Sequence, residues 1–263
     1  PNGPTGELKP GRRPSEFFIP VPKPKKGKEA KTQDALFDGL EVTNEKITRN
    51  DAIDQLRQEV GIWRQRGYQR VSPISRKLLN HWSDPERENR ILFAQREAAE
   101  TAIFLAEVVG RRDYTPSLSG VDWRDILTEA NDTHNAGLPR VALKLATGSG
   151  KTVVMAMLIA WQVLNKIASP NDARFTKRFL VVTPGITIRD RLRVLQPEDP
   201  GNYYDERGIV PPDLRQQLGQ AQIEIVNYHQ FQPKLSREVK GVSANTRKLL
   251  LGGKAITQDP FVE

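Results

Sequence analysis

The chain has no cysteine among its 263 residues. Disulfides and thiolate metal sites are therefore excluded. Imidazoles are almost as scarce: His81, His134 and His229 are scattered, so no zinc site is expected. No uninterrupted apolar run reaches the length of a membrane span, the longest being Val153 to Ala160. No secretory signal peptide is visible, and no membrane partner is expected. The chain starts at Pro1 and reads as a fragment or a processed product.

What is present suits a soluble globular protein, with 37% hydrophobic and 27% charged residues. The formal net charge is +8, but it is unevenly placed. Residues 1–31 carry eight basic groups against three acidic ones, so five of the eight surplus charges sit there. Global basicity therefore says little about a nucleic-acid face on the rest of the chain. Proline and glycine in residues 1–15 predict a tail without fixed structure.

The most informative stretch is Leu143 to Leu164, LKLATGSGKTVVMAMLIAWQVL. Val141 to Leu145 reads as a strand, Ala146 to Gly150 as a turn, and Lys151 and Thr152 open a helix. This order is that of a phosphate-binding loop. A polyphosphate needs many donors at close range. Thr147, Gly148, Ser149 and Gly150 can turn backbone N–H groups inward, because glycine reaches angles closed to other residues. The helix start adds its own unpaired N–H groups. Lys151 would supply charge to the β- and γ-phosphates, and the Thr152 hydroxyl would ligate Mg²⁺. The nucleotide expected is ATP. The common loop pattern begins with glycine, and Leu145 stands there instead. The alternative is a glycine-rich connection between strand and helix.

Upstream, Asn50 reads as the N-cap of a helix to about Arg66, with Ile53, Leu56, Val60 and Trp63 on one stripe. Gly67 ends it, and a second helix runs from Pro73 to Trp82. A third spans the segment Asn89 to Val109, with Ala98, Ala102, Leu105 and Val109 on its inner side and Ile103 and Phe104 widening it. Gln95 stands at its start. An amide can donate and accept at once, as the adenine edge requires. Phe93 is close enough in sequence to lie on or beside the base. Residues 110–139 form a polar connection with a short helix, Val121 to Glu129.

Downstream, Phe179 to Val182 is a continuous apolar strand, expected in a parallel sheet covered on both faces. Thr183, Pro184 and Gly185 end it, followed by a helix carrying Arg189. Ile223 to Phe231 supplies the next strand, which ends in Asn227, Tyr228 and His229. Carboxyl strand ends are where open α/β sheets bind ligands, and such groups can hold a nucleic-acid phosphate. An ordinary strand-to-helix turn is the equal alternative.

Together, FAQREAAETAIFL, LKLATGSGKTVVMAMLIAW, RFLVVTPGITIRDRLRVL and IEIVNYHQF resemble the type III restriction enzyme Res-subunit family, a branch of the superfamily-2 DEAD/DEAH-like helicases. The resemblance covers roughly Ala52 to Phe231. It implies a RecA-like motor domain that uses ATP and Mg²⁺ to move along or remodel double-stranded DNA, beside a modification (methyltransferase) subunit. It matches Gln95 to the adenine-reading glutamine and Gly148 to Thr152 to the phosphate loop. Thr183 to Gly185 and Asn227 to His229 match the strand-contact motifs. The family's Asp-Glu-Ala-His strand has no counterpart, since Asp259 sits in TQDPFVE. The chain alone is therefore expected to be close to inert.

The resulting expectation is an α/β protein, a P-loop three-layer sandwich with a mainly parallel sheet. It comprises a flexible basic tail over 1–49, a helical extension over 50–88 and a cytoplasmic helicase motor domain over 89–263. A repair or RNA helicase of the same superfamily, a P-loop small-molecule kinase and a nucleic-acid-binding module without chemistry are the rival readings.

Overall fold

The computed structural model describes residues 14–20, 45–118, 123–135, 137 and 140–231. The basic stretch before residue 14, the linker 21–44 and Asp259 lie outside these. The chain divides into two compact units, Pro1–Val154 and Met155–Glu263.

The first unit opens with strands β1 (Glu16–Pro20) and β2 (Glu45–Arg49), paired antiparallel with Phe18 opposite Ile47. Both strands lie within the 1–49 stretch expected to be a flexible tail, and Pro20 ends β1, where an edge strand tolerates a missing N–H. The pair is fastened to the helix after it: the Ser15 N–H donates to both Asp54 carboxylate oxygens, at 2.8 and 3.0 Å.

That helix, α1 (Asp51–Gln65), starts where the sequence predicts, the Asn50 side chain accepting from the Ile53 N–H at 3.2 Å. Leu56, Val60 and Trp63 are buried along its inner stripe. Gly67 ends it at φ +74°, and Tyr68 and Arg70 also adopt positive φ, at 53° and 69°. A tyrosine in that region costs free energy and persists only when its surroundings fix it. Tyr68 is fixed by burial and by the bond its hydroxyl donates to Glu100 at 2.7 Å.

Helix α2 (Pro73–Ser83) has proline in its first turn and Ser72 as a cap, whose hydroxyl accepts from the Ser75 N–H at 2.9 Å. Its Leu78, Leu79 and Trp82 are buried. Helix α3 (Phe93–Ile103) then passes into a π-helical turn, Phe104–Val109. The expected inner side is only partly right. Ala98, Ile103 and Phe104 are buried as expected, but Ala102, Leu105 and Val109 are not; Ala99 and Val108 take their place. The π turn holds an extra residue, so the stripe cannot keep the 3.6-residue period across it.

Phe104 is the centre of an aromatic cluster, with ring centroids 5.3 Å from Trp63, 5.8 Å from Tyr114 and 6.3 Å from Trp123. Trp123 belongs to helix α4 (Trp123–Asn135), which is longer than the sequence predicts.

Helix α5 (Lys151–Ala168) begins in the first unit and continues into the second. By length and composition it could cross a membrane, yet 56% of it is buried inside the protein, as expected of a core helix. Val141 to Leu145 before it is not a hydrogen-bonded strand among the described residues, and Val141 is 57% exposed. An apolar extended run becomes a strand only when a neighbour takes its backbone groups.

In the second unit, β3 (Arg178–Thr183) and β4 (Gln222–Asn227) pair in parallel, Val181 opposite Ile225 and Thr183 opposite Asn227. The parallel direction is as predicted, whereas coverage on both faces is not. Leu180 and Val182 are about half exposed, so β3 is covered on one side only among the described residues. Between the strands lie α6 (Ile186–Arg191), a 3₁₀ turn at Leu192–Leu195, the short helix α7 (Tyr203–Glu206) and a 3₁₀ stretch at Pro212–Gln220. The buried Tyr204 hydroxyl donates to the Leu195 carbonyl at 2.9 Å. Trp161 meets Phe175 edge-on, with centroids 5.8 Å apart.

Candidate nucleotide site and strand-edge motifs

The loop 146–150 is shaped by two glycines in the left-handed region, Gly148 at φ +79° and Gly150 at +77°. It curls around one acceptor, the Ala146 carbonyl. That oxygen receives the Ser149 hydroxyl at 2.7 Å and the Lys151 ammonium at 2.8 Å. The Val153 N–H donates to the Gly150 carbonyl at 2.9 Å, which starts α5 directly behind the loop. Lys151 is exposed and Thr152 half-buried.

Gln95 is joined to this loop. Its side chain is almost fully buried; Nε2 donates to the Ser149 carbonyl at 2.9 Å, and Oε1 accepts from the Leu92 N–H at 3.0 Å. Gly150 is what makes room for it. A Cβ at Gly150 would lie 2.2 Å from Gln95 Nε2. An amide NH₂ has two protons and its oxygen two lone pairs, so each end keeps one bonding position.

Phe93, the first residue of α3, keeps half of its surface open. Two guanidinium groups lie over its ring, Arg64 at 5.3 Å and Arg96 at 5.6 Å from the centroid. Behind them is a buried carboxylate that sequence reading missed. Glu100 has no exposed surface. It accepts Arg64 Nε at 3.0 and 2.9 Å and Arg64 Nη2 as well, besides the Tyr68 hydroxyl. Arg96 Nε lies 3.4 Å away, close enough for ion pairing but outside hydrogen-bond geometry. Burial is the largest single influence and works against the Arg64 charge, but the bond and charge of Glu100, with Tyr68 and Glu97, together outweigh it and hold the guanidinium above its ordinary value. Burial, and then Glu100, raise the Tyr68 phenol. A glutamate amid helix-forming residues reads as solvated. The available signal was the arginine excess on the neighbouring helix and turn, since a buried carboxylate needs such partners.

The residues present fit a nucleoside triphosphate. The two left-handed glycines leave the loop backbone open, with nothing within 4 Å of a Cβ at Gly148. A lysine and a hydroxyl stand at the following helix start. No cluster of three His, Asp or Glu gathers among the described residues; Mg²⁺ commonly keeps water and phosphate oxygens among its ligands and so needs few from a protein.

In the second unit, the β3–β4 register sets the two strand-end motifs side by side, 44 residues apart in sequence. Thr183 does not behave as expected of a phosphate donor. It is buried, and its single hydroxyl proton is shared between the carbonyls of Gly185 and Val226, each at 3.2 Å. Pro184 is exposed, and Gly185 precedes α6 in extended conformation. Arg189 pairs with its neighbour Asp190 at 3.1 Å. The Asn227 side chain accepts from the His229 N–H at 3.1 Å, and the exposed His229 ring lies 3.9 Å from that of Tyr228.

Helices together with a small parallel strand pair place the chain in the mixed α/β class. A family model for the type III restriction enzyme, res subunit, matches residues 94–252, more than half of the chain. The chain belongs to that family, whose domain is a RecA-like, superfamily-2 helicase-like motor that uses ATP. No curated protein and no solved structure matches the chain.

Proposed function

We propose that the chain is the ATP-binding motor domain of a double-stranded DNA translocase, the restriction subunit of a type III restriction-modification system. Residues 50–88 form a helical extension before a motor domain over 89–263, in a three-layer sandwich completed by further strands. Thr147 to Gly150 offer N–H groups to the phosphates, Lys151 adds charge to the β- and γ-positions, and Thr152 ligates Mg²⁺. The metal supplies charge neutralisation at the phosphates when bound. Gln95 pairs with the adenine edge beside Phe93. Thr183, Pro184, Gly185, Arg189, Asn227 and His229 form the strand edge that meets DNA. The partner is a modification methyltransferase subunit, and the setting is cytoplasmic. Hydrolysis depends on carboxylates and an arginine from further parts of the motor.

The observation that supports this most is the 2.9 Å bond from Gln95 to the Ser149 carbonyl. It joins the base-reading amide to the phosphate loop, so one ligand carrying both a purine and phosphates can span the two. Calorimetric titration of the 263-residue chain with ATP and Mg²⁺ tests the reading. The expected result is saturable binding that Lys151→Ala reduces at least tenfold and that Gln95→Ala reduces for ATP more than for GTP. Equal binding by the native chain and Lys151→Ala would overturn it.

A further inference from the structure

The family match begins at residue 94. The aromatic ring beside the base-reading glutamine, Phe93, and the side chain lying over it, Arg64, both precede that segment. Arg64 comes from α1, in a different helix from Phe93. A phenyl ring on the first residue of a helix, half open to solvent, is free to turn about its Cα–Cβ bond unless something lies against it. Here two guanidinium groups do.

The two are not equivalent. Arg96 is three residues along the same helix, so it neighbours Phe93 whatever lies around that helix. Arg64 reaches across from α1 and is itself immobilised. Its Nε and Nη2 form a fork onto the fully buried Glu100 carboxylate, which is also bound by Tyr68. A planar guanidinium fixed at one edge by a carboxylate presents a face that can stack on a ring; a lysine ammonium cannot.

We propose that Arg64 is a positioning residue for purine binding. It holds Phe93 as a stacking wall next to Gln95, so that α1 takes part in binding the base although it lies outside the family-matched segment. This rests on the nucleotide-binding reading above. The ligand class is a purine nucleoside triphosphate: the phosphate loop holds the charged end, and the wall set by Arg64 holds the base.

The test separates those two ends. ATP and inorganic tripolyphosphate are titrated in turn into the native chain, Arg64→Lys, Arg64→Ala, Phe93→Leu and the double variant Arg64→Lys/Phe93→Leu. Arg64→Lys keeps a cation for Glu100, so it stays folded even if Arg64→Ala does not. Losing a cation–π contact predicts about a two- to fivefold weaker affinity for ATP in Arg64→Lys. Phe93→Leu loses more, about fivefold or above, because base stacking itself is lost. Tripolyphosphate affinity stays at the native value in both. In the double variant the Arg64 substitution adds nothing further. Native affinity for ATP in Arg64→Lys overturns the proposal while leaving the nucleotide site standing. An equal loss of ATP and tripolyphosphate also overturns it, since that marks a general disturbance of the fold. If the native chain binds neither ligand, or binds both independently of Lys151, the nucleotide reading fails and this inference with it.

Discussion

Replacing Gly150 by alanine tests the junction between loop and glutamine more sharply than deleting the glutamine. Two penalties are expected, and Gly148 separates them. Both glycines have left-handed φ, at +79° for Gly148 and +77° for Gly150, so a side chain at either is strained by about 1–2 kcal/mol. Both substitutions also stiffen the unfolded chain, by about 0.4–1 kcal/mol each, which cancels between them. At Gly148 nothing lies within 4 Å of the new Cβ. At Gly150 it would lie 2.2 Å from Gln95 Nε2 and 3.4 Å from Gln95 Cδ, and only the flexible amide can give way. Its 2.9 Å bond to the Ser149 carbonyl is then lost, at about 1 kcal/mol. Gly150→Ala should therefore cost about 1 kcal/mol more than Gly148→Ala. Urea unfolding followed by tryptophan fluorescence measures this, with Trp63, Trp82 and Trp123 reporting from the first unit. The extra cost should vanish in a Gln95→Ala background, where no amide is left to displace. If Gly150→Ala costs as much in that background as it does with Gln95 in place, the steric account of this glycine is wrong.

Two other outcomes concern the buried network. Glu100→Ala leaves Arg64 and Tyr68 facing an apolar gap and should destabilise the chain by about 3–5 kcal/mol, whereas Glu100→Gln keeps an acceptor and costs less; thermal unfolding ranks them. The alkaline limit of stability should also shift with Tyr68. Its phenol is raised above the ordinary value of 10.0 by burial and then by Glu100, so the folded state holds that proton more tightly than the unfolded state. The associated stability is complete below about pH 10 and is lost as pH rises further. Tyr68→Phe should flatten the decline in melting temperature above about pH 10, and adding Tyr204→Phe, whose phenol burial raises likewise, should flatten it more. An unchanged slope in both variants would refute the assignment.

Much of this was readable from local chemistry. Asn50, Ser72 with Pro73, and Gly67 fix helix ends through caps and backbone angles that depend on one or two residues, and those ends fall where the sequence puts them. The loop was readable for the same reason, since Gly148, Gly150 and Lys151 act through their own backbone and side chains. What failed depended on distant partners. Val141 to Leu145 has strand composition but no bonded neighbour among the described residues. Leu180 and Val182 suit a doubly covered sheet, yet their face is open. Glu100 was not singled out, because its partner Arg64 lies 36 residues earlier. Thr183 looked like a phosphate donor, but its hydroxyl is turned to the Gly185 carbonyl and to that of Val226 on the neighbouring strand.

The Lys151 ammonium rests on the Ala146 carbonyl, 2.8 Å away. A visiting anion must outbid that carbonyl, which a charged oxygen can do because charge-assisted bonds are roughly twice as strong as neutral ones. A ligand that stops short of the ammonium gains nothing from it. In the proposed nucleotide site the tether would act as a ruler, rewarding molecules by how far their phosphate chain extends rather than by total charge alone.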